Sequence, residues 1–229
     1  MRSDWEARAA HSPHWFVDAR TRFGPPDPSS FRARGEMDLL RALEVTGHLL
    51  SGQERTLEIG CGMGRMTGAI ADRVGHLVGV DISERMLNFA KESTRDRPNV
   101  SLLQTDGVTL GALADGSFDL VICNAVFQHL PTMGVVEAYT GEVARVLRPN
   151  GQALIGLQNW SYWPHRWLRA AAAWMVDYRG FRTLGVYRRT YLGVRLGESD
   201  VRSLFSRAGL TIEVYRRLPE RRAWVQARR

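Results

Sequence analysis

The chain is poor in cysteine and contains no long apolar run. Cys61 and Cys123 are the only cysteines among 229 residues, which argues against a disulfide framework and suits a reducing compartment. No apolar run reaches the roughly 18 residues that a membrane-spanning helix needs. Residues 1–10 also contain acids where a signal peptide has an apolar core. We therefore expect a cytoplasmic protein, with both thiols acting as small core residues.

Lysine is almost absent, because Lys91 is the only one and arginine supplies nearly all of the positive charge. The net charge of +7 is unevenly distributed. Up to Asp177 there are 18 basic and 20 acidic residues, whereas the chain from Tyr178 onward has 13 arginines and four acids. This C-terminal excess is as compatible with a solvated surface as with an anionic or membrane-associated partner.

A dinucleotide fingerprint is also missing, although a related pattern is present. Positions 57–64 read LEIGCGMG, and the G-x-G-x-x-G spacing fails because Arg65 and Thr67 stand where a third glycine is needed. Apolar residues before the glycines predict a buried strand that ends in a turn able to approach a ligand closely. Glu58 would repel a pyrophosphate but suits an ammonium group. Asp81, 21 residues after Gly60 at the end of the next apolar run, is placed to accept hydrogen bonds from ribose hydroxyls.

Further motifs follow in a fixed order. They read LLQTDG at 102–107, FDLVICN at 118–124, QHLP at 128–131 and VLRPNGQ at 146–152. With the glycine pattern and Asp81, they resemble the class I S-adenosylmethionine-dependent methyltransferases from about Thr56 to Leu154. Asn150 stands where that family usually has glycine, a mild departure because asparagine tolerates a left-handed backbone.

The resemblance implies S-adenosylmethionine as cofactor and a set of residues that bind it. These are Glu58, Gly60, Cys61, Gly62, Gly64, Asp81, Ile82, Met86, Asp106, Gly107, Asn124 and Ala125. Simpler interpretations remain open for three positions. Asp81 is also suited to capping the helix that begins near Ser83, and Asp106 to a turn. His129 is as compatible with packing or capping as with substrate contact, and it is our candidate catalytic residue.

The order of predicted elements indicates an α/β protein with a Rossmann-like class I methyltransferase fold. We expect a seven-stranded, mostly parallel sheet with one antiparallel strand and helices on both faces. Predicted strands cover 56–59, 77–80, 100–103, 120–123, 152–157, 210–216 and 223–227. Predicted helices cover 4–20, 31–50, 64–73, 83–94, 133–147 and 199–208, with Ser12-Pro13 as a break in the first.

One domain should contain four parts. They are an N-terminal helical cap at 1–50, a cofactor-binding core at 51–157, a substrate-binding insertion at 158–197, and a closing helix with a β-hairpin at 198–229. The insertion is too long for a simple connection and is rich in aromatic residues and arginine. Candidate substrate-binding residues are Trp15, Phe16, Gln128, Tyr162, Trp163, His165, Tyr187 and Tyr191.

The function predicted is methyl transfer by in-line displacement to a small molecule that is aromatic or partly apolar, with an anionic group as one option. The setting would be biosynthetic or secondary metabolism. Candidate bases are His129, His165, Tyr162 and Tyr191, and we expect no metal. An RNA or protein methyltransferase is the alternative, and a non-catalytic cofactor-binding regulatory subunit is a further one. We expect no nucleic-acid partner, treat membrane-surface contact as the less favoured option, and leave monomer or homodimer open.

Overall fold

The computed structural model describes residues 1–18, 27–158, 193–219 and 222–229. Expectations about residues 159–192, which make up most of the predicted insertion, lie outside this part of the chain. Within the described residues, strands and helices alternate through the centre of the sequence as predicted.

Seven strands form one sheet. They are β1 (Arg55–Ile59), β2 (His76–Asp81), β3 (Val100–Gln104), β4 (Phe118–Asn124), β5 (Leu147–Gln158), β6 (Thr211–Arg217) and β7 (Arg222–Arg228). The spatial order is β3-β2-β1-β4-β5-β7-β6, and β7 runs antiparallel to both of its neighbours. The remaining described pairs are parallel, so the predicted sheet is confirmed.

One strand departs clearly from its predicted bounds. β5 begins at Leu147 instead of residue 152, because Leu147 already pairs with Phe118, the first residue of the neighbouring strand β4. Asn150, at the turn that resembles the family motif, has a φ of 64°. This left-handed conformation is one that asparagine tolerates better than most residues, which explains why the turn forms without the usual glycine.

Seven α-helices and one 3-10 helix are described. They are α1 (Arg2–His11), α2 (Pro13–Val17), α3 (Pro28–Thr46), α4 (Thr67–Ala71), α5 (Glu84–Ser93), the 3-10 helix (Phe127–His129), α6 (Met133–Val146) and α7 (Glu198–Arg207). The predicted break at Ser12-Pro13 separates α1 from α2, because proline has no N–H to continue α1. α4 is shorter than the predicted helix at 64–73, since the residues just after the glycines form turns.

Helix ends follow local chemistry. α3 starts three residues earlier than predicted, because Asp27 caps it by accepting a hydrogen bond from the Ser30 N–H at 3.0 Å. It stops at Thr46, before the predicted residue 50, where Gly47 adopts a φ of 73°. Ser83 caps α5 in the same way as Asp27 caps α3. This leaves Asp81 available for another task.

The sheet is buried on both faces. On one face, Leu57, Val121 and Ile155 pack in a core cluster with residues of α6 and α7. On the other, Leu120 and Leu154 pack with residues of α3 and α4. The alternation of side chains along each strand therefore supplies both cores, and the carboxyl ends of β1, β2 and β4 meet at one edge. None of the helices in the described ranges is both long and apolar enough to cross a membrane.

Candidate functional site

The glycine turn, defined as residues 60–64, connects β1 to α4 at the carboxyl edge of the sheet. Gly60, Gly62 and Gly64 have φ values of 71°, 55° and 82°, a region that other residues rarely adopt. The backbone N–H groups of Gly60 and Cys61 both donate to the Val80 carbonyl, at 2.8 and 3.0 Å. The turn is therefore fixed to the end of β2.

A side chain at each of these glycines would meet a neighbour. A Cβ at Gly60 would overlap Val126 Cγ2, and one at Gly62 would lie 3.2 Å from Val17 Cγ2. The glycine turn thus needs glycine both because neighbouring side chains leave no room for a Cβ and because the backbone has positive φ values. A bare backbone of this kind fits close approach by a nucleoside cofactor, as the sequence predicts.

Asp81 lies at the end of β2 beside the turn. Its Oδ2 accepts a hydrogen bond from the Gly62 N–H at 2.9 Å, and its Oδ1 accepts one from the Ser83 N–H at 2.9 Å. Burial raises the pKa of Asp81, against the lowering effect of these backbone hydrogen bonds. Capping of α5 belongs to Ser83, whereas the Asp81 carboxylate orients the turn and retains lone pairs for a ligand, as the ribose interpretation requires.

Glu58 lies below the turn within β1 and is buried. Its Oε2 accepts a hydrogen bond from the Thr67 hydroxyl at 2.6 Å. Burial raises the pKa of Glu58 to about 7, although the Thr67 hydrogen bond and the charge of Arg65 lower it.

Burial also raises the pKa of the two thiols, Cys61 and Cys123, which marks both as unreactive.

Asp106 follows β3 and is exposed. Its Oδ1 accepts hydrogen bonds from the Val108 and Thr109 N–H groups at 2.7 and 2.6 Å, and its Oδ2 accepts one from the Thr109 hydroxyl at 2.9 Å. Burial acts to raise the pKa of Asp106, but these hydrogen bonds outweigh it and lower the pKa. The turn interpretation therefore describes what this carboxylate does within its own loop.

Three further predicted cofactor residues lie in two places. Ile82 and Gly107 lie together, since a Cβ on Gly107 would overlap Ile82 Cδ1 and the Met1 methyl group. Met86 is instead buried in a small cluster with Ala9, Phe31 and Met63. Ile82 and Gly107 thus form a surface that Met1 contacts, whereas Met86 packs in the core next to Met63 of the glycine turn.

The end of β4 bends sharply toward the glycine turn. Ala125 has a φ of 62°, which is uncommon for a residue with a side chain, and its N–H donates to the Gly156 carbonyl at 3.0 Å. Asn124 donates to Met66 Sδ at 3.1 Å. The bend directs Val126 toward Gly60 and begins the 3-10 helix that carries Gln128 and His129.

The N-terminal helices lie over this edge. The rings of Trp5 and His129 are 5.1 Å apart in an edge-to-face arrangement. Glu6 accepts a hydrogen bond from the Glu84 N–H at 2.5 Å, at the start of α5. The Arg8 guanidinium is buried and lies 4.6 Å from the centre of the Trp5 ring. Met1, Trp5, Glu6 and Arg8 were not among the predicted site residues, because nothing local in their sequence reveals where α1 docks.

Trp15 and Phe16, the predicted substrate residues of α2, pack against each other with ring centres 4.8 Å apart. Phe16 is buried and lies 5.8 Å from the Arg8 guanidinium. These two residues therefore belong to the N-terminal cover, defined as helices α1 and α2. Phe16 is connected to the edge of the sheet by a series of contacts through Arg8 and Trp5.

The chain returns from its predicted insertion beside the 3-10 helix. The Val194 N–H donates to the Leu130 carbonyl at 3.0 Å, and a Cβ at Gly193 would overlap the carbonyl oxygens of Gln128 and Leu130. The insertion thus leaves from β5 and re-enters at the site edge. Five predicted substrate residues lie outside the described residues: Tyr162, Trp163, His165, Tyr187 and Tyr191.

Across the described ranges, no group of three His, Cys, Asp or Glu side chains is arranged to hold a metal.

Comparison with known proteins identifies the family. A family profile described as "Methyltransferase domain" matches residues 57–155. A ubiquinone biosynthesis O-methyltransferase of Methylococcus capsulatus is 29% identical over 133 residues, which is 55% of this chain and 54% of that protein. The chain spans about half the length of this relative and less of several others.

Two solved structures share the fold. Magnesium protoporphyrin IX methyltransferase of Synechocystis PCC 6803, solved with bound S-adenosylhomocysteine, superposes with a TM-score of 0.67 at 18% identity over 100% of both chains. The N-methyltransferase NodS of Bradyrhizobium japonicum, also bound to S-adenosylhomocysteine, gives a TM-score of 0.64 at 21% identity over 99% of this chain and 96% of that one.

The sheet order, the glycine turn and these matches define a class I Rossmann-like methyltransferase fold. Residues 57–155 match the methyltransferase domain family, in agreement with the sequence motifs that predicted an S-adenosylmethionine-dependent methyltransferase. S-adenosylmethionine is the cofactor of this family.

Proposed function

We propose that this chain transfers a methyl group from S-adenosylmethionine to a small molecule that is aromatic or partly apolar, in biosynthetic or secondary metabolism. One relative is named for ubiquinone biosynthesis and one structural neighbour for magnesium protoporphyrin IX. The contact between Trp5 and His129 beyond β4 carries the proposal, because it puts an aromatic ring and a titratable group together at the edge that holds the glycine turn.

Residues at the ends of β1 and β2 would hold the cofactor. The bare backbone of the glycine turn would admit it, Asp81 would accept hydrogen bonds from the ribose, and Ile82 and Gly107 would flank the adenine. Glu58, buried behind the turn, would pair with the ammonium of the methionine end in its ionised form, because a nearby positive charge favours the carboxylate over the protonated acid. When bound, S-adenosylmethionine supplies an electrophilic methyl group on a positively charged sulfur.

The protein's part in the reaction is mainly alignment and exclusion of water. In-line displacement disperses positive charge, so a dry pocket that aligns the nucleophile supplies much of the rate. α1 covers the edge through Trp5, Glu6 and Met1. An oxygen nucleophile of high pKa also needs a base, and His129 is the described residue that we assign to accept that proton.

An acceptor that carries a negative charge is one option within this proposal. The predicted insertion is rich in arginine, and guanidinium groups pair with carboxylates in a two-pronged geometry.

A nucleic-acid substrate is less well supported. Several arginines in the described C-terminal part pair with acids, which reduces the free positive charge; they are Arg202 and Arg217 with Glu198, Arg207 with Glu137, and Arg228 with Glu213. A phosphate-binding surface needs arginines that remain available. The basic composition noted in the sequence therefore gives little support to an RNA methyltransferase.

The test is a transfer assay with a labelled methyl donor. Pools of phenols, aromatic acids and amines are compared with total RNA and denatured protein as acceptors. We expect label in a small molecule. Label in RNA or protein would contradict the proposal, and cofactor binding without transfer to any pool would favour the non-catalytic alternative.

His129 is tested separately once an acceptor is known. If His129 accepts a proton from the acceptor, His129→Ala should lower kcat most at the acidic end of the range from pH 6 to 9, where the acceptor is protonated. His129→Gln serves as a variant of similar size without a titratable group. Full activity of both variants across this range would show that His129 is not the base.

A further inference from the structure

Helix α3 contacts the residue that follows the glycine turn. A Cβ at Gly35 would overlap the carbonyl oxygen of Arg65, so the backbones of α3 and the turn lie in direct contact there. Gly35 is one of the buried residues of α3. Because Arg65 follows Gly64 directly, this contact fixes the point at which the turn leaves the cofactor edge.

The Arg65 side chain returns to the same helix. Its Nη1 lies 2.5 Å from Asp38 Oδ2 and 3.3 Å from the Arg34 carbonyl oxygen. Both side chains of the Arg65–Asp38 pair are 10% exposed. A pair with so little solvent around it is weakly screened by salt and has a defined geometry, unlike an exposed surface pair. Residue 65 is thus held by its backbone and by its side chain.

The same turn of α3 also contacts the N-terminal cover, at the end of α2. Arg34 Nε lies 3.1 Å from Asp18 Oδ2, at the end of α2, and Asp18 is buried. Val17, the preceding residue, packs against Gly62. Residues 34–38 therefore contact the chain on two sides of the glycine turn: Arg65 after it and the end of α2 above it.

We propose that Arg34 and Asp38 are positioning residues for the cofactor: together they hold the glycine turn between α3 and α2 in the geometry that binds S-adenosylmethionine, without touching it. This inference rests on the assignment of the glycine turn as the cofactor site. Small displacements of a ligand-holding backbone have large effects on binding and rate, so the contacts behind the turn set the affinity.

The helix provides a matched control. Glu36, two residues before Asp38, pairs with Arg73 at 2.5 Å, but these side chains are 48% and 31% exposed. Both pairs join an acid of α3 to an arginine near α4. Only the Arg65–Asp38 pair adjoins the glycine turn, so Asp38→Asn and Glu36→Gln compare the same chemistry with and without that proximity.

The experiment is calorimetric titration of the full chain with S-adenosylhomocysteine, together with the melting temperature of the unliganded protein. Asp38→Asn should raise Kd by about tenfold, while Glu36→Gln should stay within about twofold of wild type. Arg34→Gln should also raise Kd, because it releases α2. Amide exchange of residues 60–66 in unliganded Asp38→Asn should be faster than in Glu36→Gln.

A double variant distinguishes positioning by the pair from a separate effect of each charge. Asp38→Asn combined with Arg65→Met should bind no more weakly than the poorer single variant, because the two residues act as a unit. If Asp38→Asn fails to fold, Asp38→Glu keeps the charge but moves it by one methylene, and it should weaken binding by about threefold.

A lowered melting temperature with wild-type affinity in Asp38→Asn and Arg34→Gln would overturn the inference, because the contacts would then stabilise the fold alone. The same holds if Asp38→Glu, used in place of an unfolded Asp38→Asn, binds as wild type does. The cofactor assignment fails in a different way: wild type itself would not bind S-adenosylhomocysteine, or Asp81→Ala would bind it unchanged.

Discussion

Two regions of the carboxyl edge are built by different means. At the ends of β1 and β2, backbone conformation and backbone hydrogen bonds shape the site, through glycines of positive φ and N–H groups bonded to Val80 and Asp81. At the end of β4, side chains from distant parts of the sequence meet around His129, including Trp5 from α1. The proposed cofactor region thus depends on local sequence, whereas the proposed acceptor region depends on how separate segments dock.

The largest effect should come from adding a single methyl group to the glycine turn. In Gly60→Ala the new Cβ would overlap Val126 and strain a backbone of φ 71°. We expect the affinity for S-adenosylhomocysteine to fall by at least about 100-fold, or about 2.7 kcal/mol, by calorimetry. Gly141→Ala in α6, where a Cβ meets nothing within 4 Å, is the matched control and should bind normally. Wild-type affinity in Gly60→Ala would show that backbone geometry does not define this region.

Glu58 gives the cofactor region a pH dependence. The folded protein keeps its carboxyl protonated up to a pKa of about 7, whereas the ordinary value is 4.5. Its contribution to stability is therefore fully present below pH 4.5 and is lost as the pH rises through about 7. The loss amounts to about 3 kcal/mol in the free energy of unfolding.

Urea unfolding at pH 5 and pH 8 measures this contribution. Glu58→Gln keeps an acceptor for the Thr67 hydroxyl but cannot ionise, so its stability should fall less between the two pH values than that of wild type. Equal pH dependence in wild type and variant would contradict the assignment of a buried, protonated Glu58.

The two predicted cofactor carboxylates should differ in effect. Asp81→Ala should weaken binding of S-adenosylhomocysteine by about 1–3 kcal/mol, because charge-assisted hydrogen bonds are lost. Asp106→Ala should weaken it less, since Asp106 already accepts three hydrogen bonds within its own loop. Titration of both variants decides the order of the two effects, and an equal or larger effect at Asp106 would contradict it and favour direct contact between Asp106 and the cofactor.

The smallest effect belongs to the acceptor region. Ala125 has a φ of 62° without being glycine, so its backbone is strained. Ala125→Gly should relieve that strain and raise the free energy of unfolding by about 0.5–1 kcal/mol, after the entropy cost of glycine. A lower midpoint of urea unfolding in the variant would show that the alanine methyl contributes more by packing than it costs in strain.

The same contrast explains what could be predicted from sequence. The succession of strands along the chain and the glycine turn follow from local patterns such as LEIGCGMG, and both were predicted. The docking of α1 was not, because Trp5 and Arg8 meet their partners through tertiary packing that no local pattern records. The early start of β5 was also missed, because it depends on pairing between Leu147 and Phe118.

The roles of Asp81 and Asp106 could not be separated from sequence, because each carboxylate can accept hydrogen bonds from several different donors. Sequence spacing placed Asp81 and Asp106 alike after a strand, yet Asp81 bonds to the glycine turn and Asp106 to Thr109 in its own loop. Which hydrogen bonds a carboxylate accepts depends on the N–H groups that the folded backbone brings near it. Spacing alone does not contain that information.

One titration tests the central claim most directly: calorimetry of the wild-type chain with S-adenosylhomocysteine, with the melting temperature followed in parallel. The account predicts one bound ligand per chain and a melting temperature that rises with ligand concentration. An absence of both heat and thermal shift at millimolar ligand would contradict the claim that the glycine turn and Asp81 form the cofactor site.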